Sequence, residues 1–115
     1  MGILADKVAV ITGGTRGLGL AIARAYGQEG ARVVIASRSA EAVERAVALL
    51  KEEGTQASGQ PCDVSDLSQV QALADHALTA FGRFDVWVNN AGIAGPYGPT
   101  VHIWPKHFER VIQTN

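Results

Sequence analysis

Cysteine is nearly absent from this sequence: Cys62 stands alone among 115 residues, so no internal disulfide can form. The N-terminus also lacks the charged-then-apolar layout of a secretory leader, and a reducing cytoplasm is the expected compartment. Neither sign of charge is in excess. Ten Lys and Arg against eleven Asp and Glu leave a formal charge of -1, which provides no basic stripe for nucleic acid and no polybasic patch for an anionic membrane. No apolar run approaches the roughly 20 residues that span a bilayer. Met1-Gly2 would open a myristoylation motif, but Asp6 stands where that motif wants Ser or Thr. His102 and His107 miss the i, i+4 spacing of a metal pair and have no thiol or acidic cluster beside them, so no metal is expected.

What is present points to one globular unit. A hydrophobic share of 47% with 18% charged residues is too apolar and too weakly charged for a disordered chain. Lys7 to Thr12 carries the continuous run Val8-Ala9-Val10-Ile11, which suits a strand covered on both faces. A helix follows, with Leu18, Ala21, Ile22, Ala25 and Tyr26 as its apolar stripe and Gly30 as its stop. Arg32 to Ala36 forms a second buried strand. Ser39 caps a second helix, in which Val43, Ala46, Val47 and Leu50 face the core before Gly54 ends it.

Gln56 to Cys62 is a weaker strand. It contains Pro61, which lacks a ladder N–H, and so belongs at a sheet edge. Ser65 is the expected cap of a third helix that buries Leu67, Val70, Leu73, Ala74, Ala77, Leu78 and Phe81 and stops at Gly82, with His76 on its solvated side. Phe84 to Asn89 is a fourth strand, with Trp87 in the core and Asp85 structural at its amino end. A loop from Gly92 to Pro99 then leads to a helix starting near Pro105. Strands alternating with helices imply right-handed parallel crossovers, hence an α/β fold: a doubly wound parallel sheet of the Rossmann type, here with about four strands. Ligands bind such sheets beyond the carboxyl ends of the strands.

The residues at the first of those ends are Thr12-Gly13-Gly14-Thr15-Arg16-Gly17-Leu18-Gly19. Glycines there let backbone turn tightly and approach an anion at a helix N-terminus, where free N–H groups and the helix dipole favour negative charge. A P-loop would need Lys and then Ser or Thr after its second glycine, but Leu18 and Gly19 stand instead. The fingerprint G-x-G-x-x-G fails as well, because Gly17-Leu18-Gly19-Leu20-Ala21-Ile22 ends in isoleucine. The spacing is T-G-x-x-x-G-x-G, and a second block, Asn89-Asn90-Ala91-Gly92, follows the fourth strand.

Both blocks together resemble the short-chain dehydrogenase/reductase family, and the resemblance runs from Met1 to Asn115. It implies that residues 1–115 are the dinucleotide-binding half of one Rossmann domain. Gly13, Thr15, Arg16, Gly17, Leu18 and Gly19 would line the pyrophosphate and adenosine ribose, while Thr12 would brace Asn90. Asn90, Ala91 and Gly92 would let cofactor lie close to backbone. Asp63 and Val64 would contact adenine, although Asp63 also reads as the start of a turn before Ser65.

Charge bears on the cofactor. NAD-binding sheets place an acidic residue on the ribose 2′-hydroxyl about 20 residues past the glycine turn, whereas Ser37 and Arg38 stand here. With Arg16 they favour NADP(H) over NAD(H), unless both arginines are solvated surface cations. Asn115 matches the asparagine of the family's Asn-Ser-Tyr-Lys catalytic set, or is a frayed terminal residue.

The rest of that set is missing. Tyr26 and Tyr97 are followed four residues later by Gly30 and Val101, so no Tyr-x-x-x-Lys occurs. The implied activity interconverts a small-molecule ketone and secondary alcohol, as in members resembling 3-oxoacyl-thioester reductases, with the catalytic half lying outside these residues and a homo-oligomer as the complete protein. A non-catalytic dinucleotide-binding module, or an inactive truncation, is the alternative. Without further strands, Val86-Trp87-Val88 is expected to form an exposed apolar edge that invites association.

Overall fold

The computed structural model describes residues 2–90 and 100–103. Strand β1 (Val8–Thr12) leads into helix α1 (Gly17–Gln28), β2 (Arg32–Ser37), α2 (Ala40–Glu52), β3 (Ala57–Pro61), α3 (Leu67–Phe81), β4 (Val86–Asn89) and β5 (Thr100–Ile103). The strands form one sheet in the order β3-β2-β1-β4-β5. The first four run parallel, and β5 pairs antiparallel with β4. Chain order reverses between β1 and β4, which makes that junction the switch point where such sheets open a crevice.

The unbroken apolar runs follow from burial on both faces. Val8, Val10, Val34, Ala36 and Trp87 face α3, while Ile11, Val33, Ile35 and Val88 face α1 and α2. Ile11, Ile35, Leu50 and Leu73 are fully buried, each contributing about 1.5–3 kcal/mol relative to exposure. Trp87 meets Phe84 edge-on, with centroids 5.7 Å apart. As expected of a strand holding proline, β3 lies at the sheet edge, and Pro61 is its last residue.

At the amino ends of β1 and β4, Asp85 is the structural residue its position suggested. It is buried, accepts from the Val8 N–H at 2.9 Å, and pairs with Arg83 at 2.5 Å.

Several local expectations are corrected. The buried line of α1 is Gly19 and Ala23, with Leu20, Ile22, Tyr26 and Gly27 partly covered; Leu18, Ala21 and Ala25 are exposed. Small residues at Gly19, Ala23 and Gly27 let this helix lie close to its neighbours, and a Cβ on Gly27 would overlap Thr55. Leu67 is exposed because it is the first residue of α3, outside the packed turns. That helix is capped by Asp66, whose carboxylate accepts from the Ser68 N–H at 3.0 Å, and not by Ser65. His76 is half-buried rather than solvated, with Nε2 2.8 Å from Ser58 Oγ on β3. Finally, Thr100–Ile103 adds a strand that covers the outer edge of β4, so Val86-Trp87-Val88 is not a free edge. The expected helix from Pro105 lies outside the described residues.

Candidate functional site

The turn after β1 is built by backbone that side chains would obstruct. Gly13 and Gly17 have φ values of 66° and 57°, in the left-handed region that costs a non-glycine residue about 1–2 kcal/mol. The Gly13 and Gly14 N–H groups donate to the Ala36 carbonyl at 2.8 and 3.2 Å, tying the turn to the end of β2. A Cβ on Gly14 would come within 2.9 Å of Ile35 Cγ2, and one on Gly19 would overlap the Gly13 carbonyl oxygen. The start of α1 therefore closes directly onto the turn. Arg16 is its N-cap and makes no side-chain capping bond, whereas Ser39 and Asp66 cap α2 and α3. The α1 N-terminus thus keeps its positive end open toward the crevice.

Across the switch point, the fully buried Thr12 joins β1 to β4. Its hydroxyl accepts from the Asn90 N–H at 2.9 Å and lies 3.3 Å from the Val88 carbonyl. The Asn90 side-chain amide donates to the Gly13 carbonyl at 3.3 Å. Asn90 therefore holds the turn by backbone and side chain together, as the bracing expectation required.

A crevice of about 630 Å³ opens at the carboxyl ends of β1, β2 and β3. Of the residues expected at the site, Gly13, Thr15, Arg16, Ser37, Arg38 and Val64 line it. Ser39, Ala42, Arg45 and Cys62 line it too and were missed. Ser39, Ala42 and Arg45 recur every third residue from the α2 cap, a spacing that places them along one side of the helix. Among the described residues, three arginines and no carboxylate side chain contribute to the walls. An anion is the ligand charge this lining suits, and the glycine turn provides the close backbone approach a diphosphate needs.

The remaining site residues have more local roles. Ser37 Oγ accepts from the Ser39 N–H at 3.3 Å and so shapes the turn into α2. Asp63 accepts from the Ser65 hydroxyl and N–H at 2.7 and 3.0 Å. Those two bonds, helped by the Arg38 charge, hold its carboxyl below the usual range, so the turn reading of Asp63 is realised. Burial pushes the Cys62 thiol up, aided by Asp63 and Asp66, which disfavours a thiolate nucleophile. Leu18 is 56% exposed beside the turn. Gly17, Gly19 and Asn90 build the turn without lining the crevice. Ala91, Gly92 and Asn115 lie outside the described residues. Among the described residues, no three His, Cys, Asp or Glu side chains cluster at metal-binding range, and no helix is long and apolar enough to cross a membrane.

Comparison with known proteins agrees with this arrangement. The chain is 38% identical over 112 residues to dehydrogenase/reductase SDR family member 4 of Oryctolagus cuniculus, covering 97% of this chain and 43% of that protein. It is 38% identical over 110 residues to a putative ketoacyl reductase of Streptomyces coelicolor, covering 96% and 42%. It thus spans about two fifths of the length of these relatives. Among solved structures, a short chain dehydrogenase/reductase from Burkholderia phymatum in complex with NAD superposes with a TM-score of 0.76 at 43% identity, covering 81% of this chain and 33% of that one. A variant of actinorhodin polyketide ketoreductase with NADPH gives 0.76 at 40% identity, covering 83% and 36%. The sequence pattern of the short chain dehydrogenases matches residues 7–115, and with the doubly wound sheet and its glycine turn this makes the chain a member of that family.

Proposed function

We propose that residues 1–115 form the dinucleotide-binding half of one Rossmann domain in an oxidoreductase that interconverts a ketone and a secondary alcohol with NADP(H) in preference to NAD(H). The observation that carries the preference is the crevice wall. Arg16, Arg38 and Arg45 line it, and Ser37 stands at the end of β2 where an acidic residue would hold a free ribose hydroxyl. A hydrogen bond to a charged partner contributes roughly 1.5–3 kcal/mol when sheltered and less where water reaches it. Two solved relatives, one with NAD and one with NADPH, support a nicotinamide dinucleotide without choosing between the forms.

In this reading the turn from Gly13 to Gly19, with Thr15 and Leu18, would hold the diphosphate at the uncapped start of α1. Val64 and Asp63 would flank the adenine, and Asn90, with Ala91 and Gly92, would keep the inner end of the site narrow. When bound, the cofactor would supply or accept the hydride. The protein's part within these residues is to bind and orient. Asn115 is proposed as the contribution to the catalytic set, with the proton-handling serine, tyrosine and lysine supplied by the part of the family's length not covered here. A cytoplasmic homo-oligomer acting on a small carbonyl compound completes the proposal.

Titration of the chain with NADPH and NADH, read by nicotinamide fluorescence, tests it. Tighter binding of NADPH is expected, and no binding of either coenzyme to folded material overturns the reading. A second reading is a dinucleotide-binding module without turnover. Binding with no NADPH oxidation, by any longer chain that contains this sequence, would favour it.

A further inference from the structure

The described arginines fall into two groups. Arg24 pairs with Glu53 at 2.6 Å, Arg83 pairs with Asp85 at 2.5 Å, and Arg32 lies over the Phe81 ring at 5.7 Å. These three are committed to holding the fold. The other three, Arg16, Arg38 and Arg45, line one crevice. Among the described residues neither Arg16 nor Arg38 forms an ion pair, and Arg45 has only a loose one, 3.6 Å from the Glu41 carboxylate.

We infer that Arg45 is a third specificity-determining residue for the 2′-phosphate of NADP(H), released to it by exchange from Glu41. This rests on the NADP(H) reading above and extends it to a residue on α2 that neither the glycine turn nor the end of β2 contains. Arg45 sits three residues past Ala42, which also lines the crevice, so its side chain leaves the helix on the crevice side. The first turn of α2 is fixed by Ser39 Oγ, which accepts from the Ala42 N–H at 3.1 Å, and this sets where the Arg45 stem begins.

The Glu41 contact is built to be given up. The Arg45 and Glu41 side chains are 70% and 83% exposed, and an i, i+4 pair so open to water is weak and screened by salt. A phosphate near pH 7 carries more charge than one carboxylate and presents three acceptor oxygens, so it competes well for a planar guanidinium. Glu41 then acts as a gatekeeper. It occupies the guanidinium when a coenzyme lacks the 2′-phosphate, and it returns no benefit to NAD(H).

The test is the ratio of NADPH to NADH dissociation constants for the chain and its variants, with folding checked by circular dichroism. Arg45→Ala is expected to weaken NADPH about three- to five-fold and leave NADH unchanged, the size of a solvent-exposed charge pair. Arg45→Lys should recover part of the loss, and Glu41→Gln should tighten NADPH by up to about two-fold. Calorimetry with 2′,5′-ADP against 5′-AMP should repeat the pattern without the nicotinamide. If the parent chain prefers NADPH and Arg38→Ala reduces that preference while Arg45→Ala does not, the role of Arg45 is overturned alone. If the parent binds both coenzymes equally, the NADP(H) reading falls and this inference falls with it.

Discussion

The Thr12 hydroxyl, at the end of β1, accepts a hydrogen bond from the Asn90 N–H at 2.9 Å across 78 residues of chain. This bond ties the two parallel strands between which chain order reverses and fixes the glycine turn against the start of the loop after β4. Thr12→Val keeps the shape and removes the acceptor, leaving a part-buried N–H without its partner. A loss of about 1–3 kcal/mol in urea unfolding is expected, together with weaker coenzyme binding. Thr12→Ser should restore most of both; equal losses in the two variants would count against the hydroxyl.

Gly19→Ala places a Cβ on the Gly13 carbonyl oxygen. Either the turn or α1 must move, at about 1–3 kcal/mol, and NADPH affinity should fall at least as far as stability. Gly54→Ala is the control. Its φ of 88° brings strain, but nothing lies within 4 Å of the added carbon, so it should cost about 1–2 kcal/mol and leave coenzyme affinity unchanged.

On the NADP(H) reading, Ser37→Asp combined with Arg38→Ala would replace a phosphate-seeking end of β2 with a hydroxyl-seeking one. The NADPH-to-NADH affinity ratio should fall by about tenfold or more. An unchanged ratio in fluorescence titration would leave both residues as surface groups.

The buried Asp85 should contribute to acid sensitivity. Burial would raise its carboxyl, but the Arg83 guanidinium, the Val8 N–H and the Lys7 charge outweigh burial and hold it below the usual range. A folded-state value under the unfolded value of about 3.9 means the carboxylate contributes fully above pH 4, and its contribution fades as pH falls through the folded value. Urea midpoints measured from pH 6 down to pH 3 should therefore drop at the acid end. Asp85→Asn should be less stable at pH 6, with a shallower decline on acidification.

The parallel sheet was legible because strands covered on both faces leave unbroken apolar runs, as in Val8-Ala9-Val10-Ile11. The glycine turn was legible because tight backbone admits few alternatives. Helix α1 was legible only in part: Ile22 and Tyr26 pack against the core as expected, but the closest contacts come from Gly19, Ala23 and Gly27, whose smallness hides them from an apolar count. The short strand from Thr100 to Ile103 has too few residues to show a period, and its pairing with β4 is a long-range fact. The Ser58 contact of His76 depends on how α3 lies over β3, and Arg45 reaches the crevice only through the placement of α2. No local pattern encodes either.

Every described residue that walls the 630 Å³ crevice falls between Gly13 and Val64. If the crevice holds the adenylate end of a coenzyme, as proposed, that grip is written in one uninterrupted stretch of chain, and recognition of a substrate would be written elsewhere. Those two texts can be edited separately. On that reading, a coenzyme swap could be engineered within some fifty positions while the residues that meet a substrate stay unchanged.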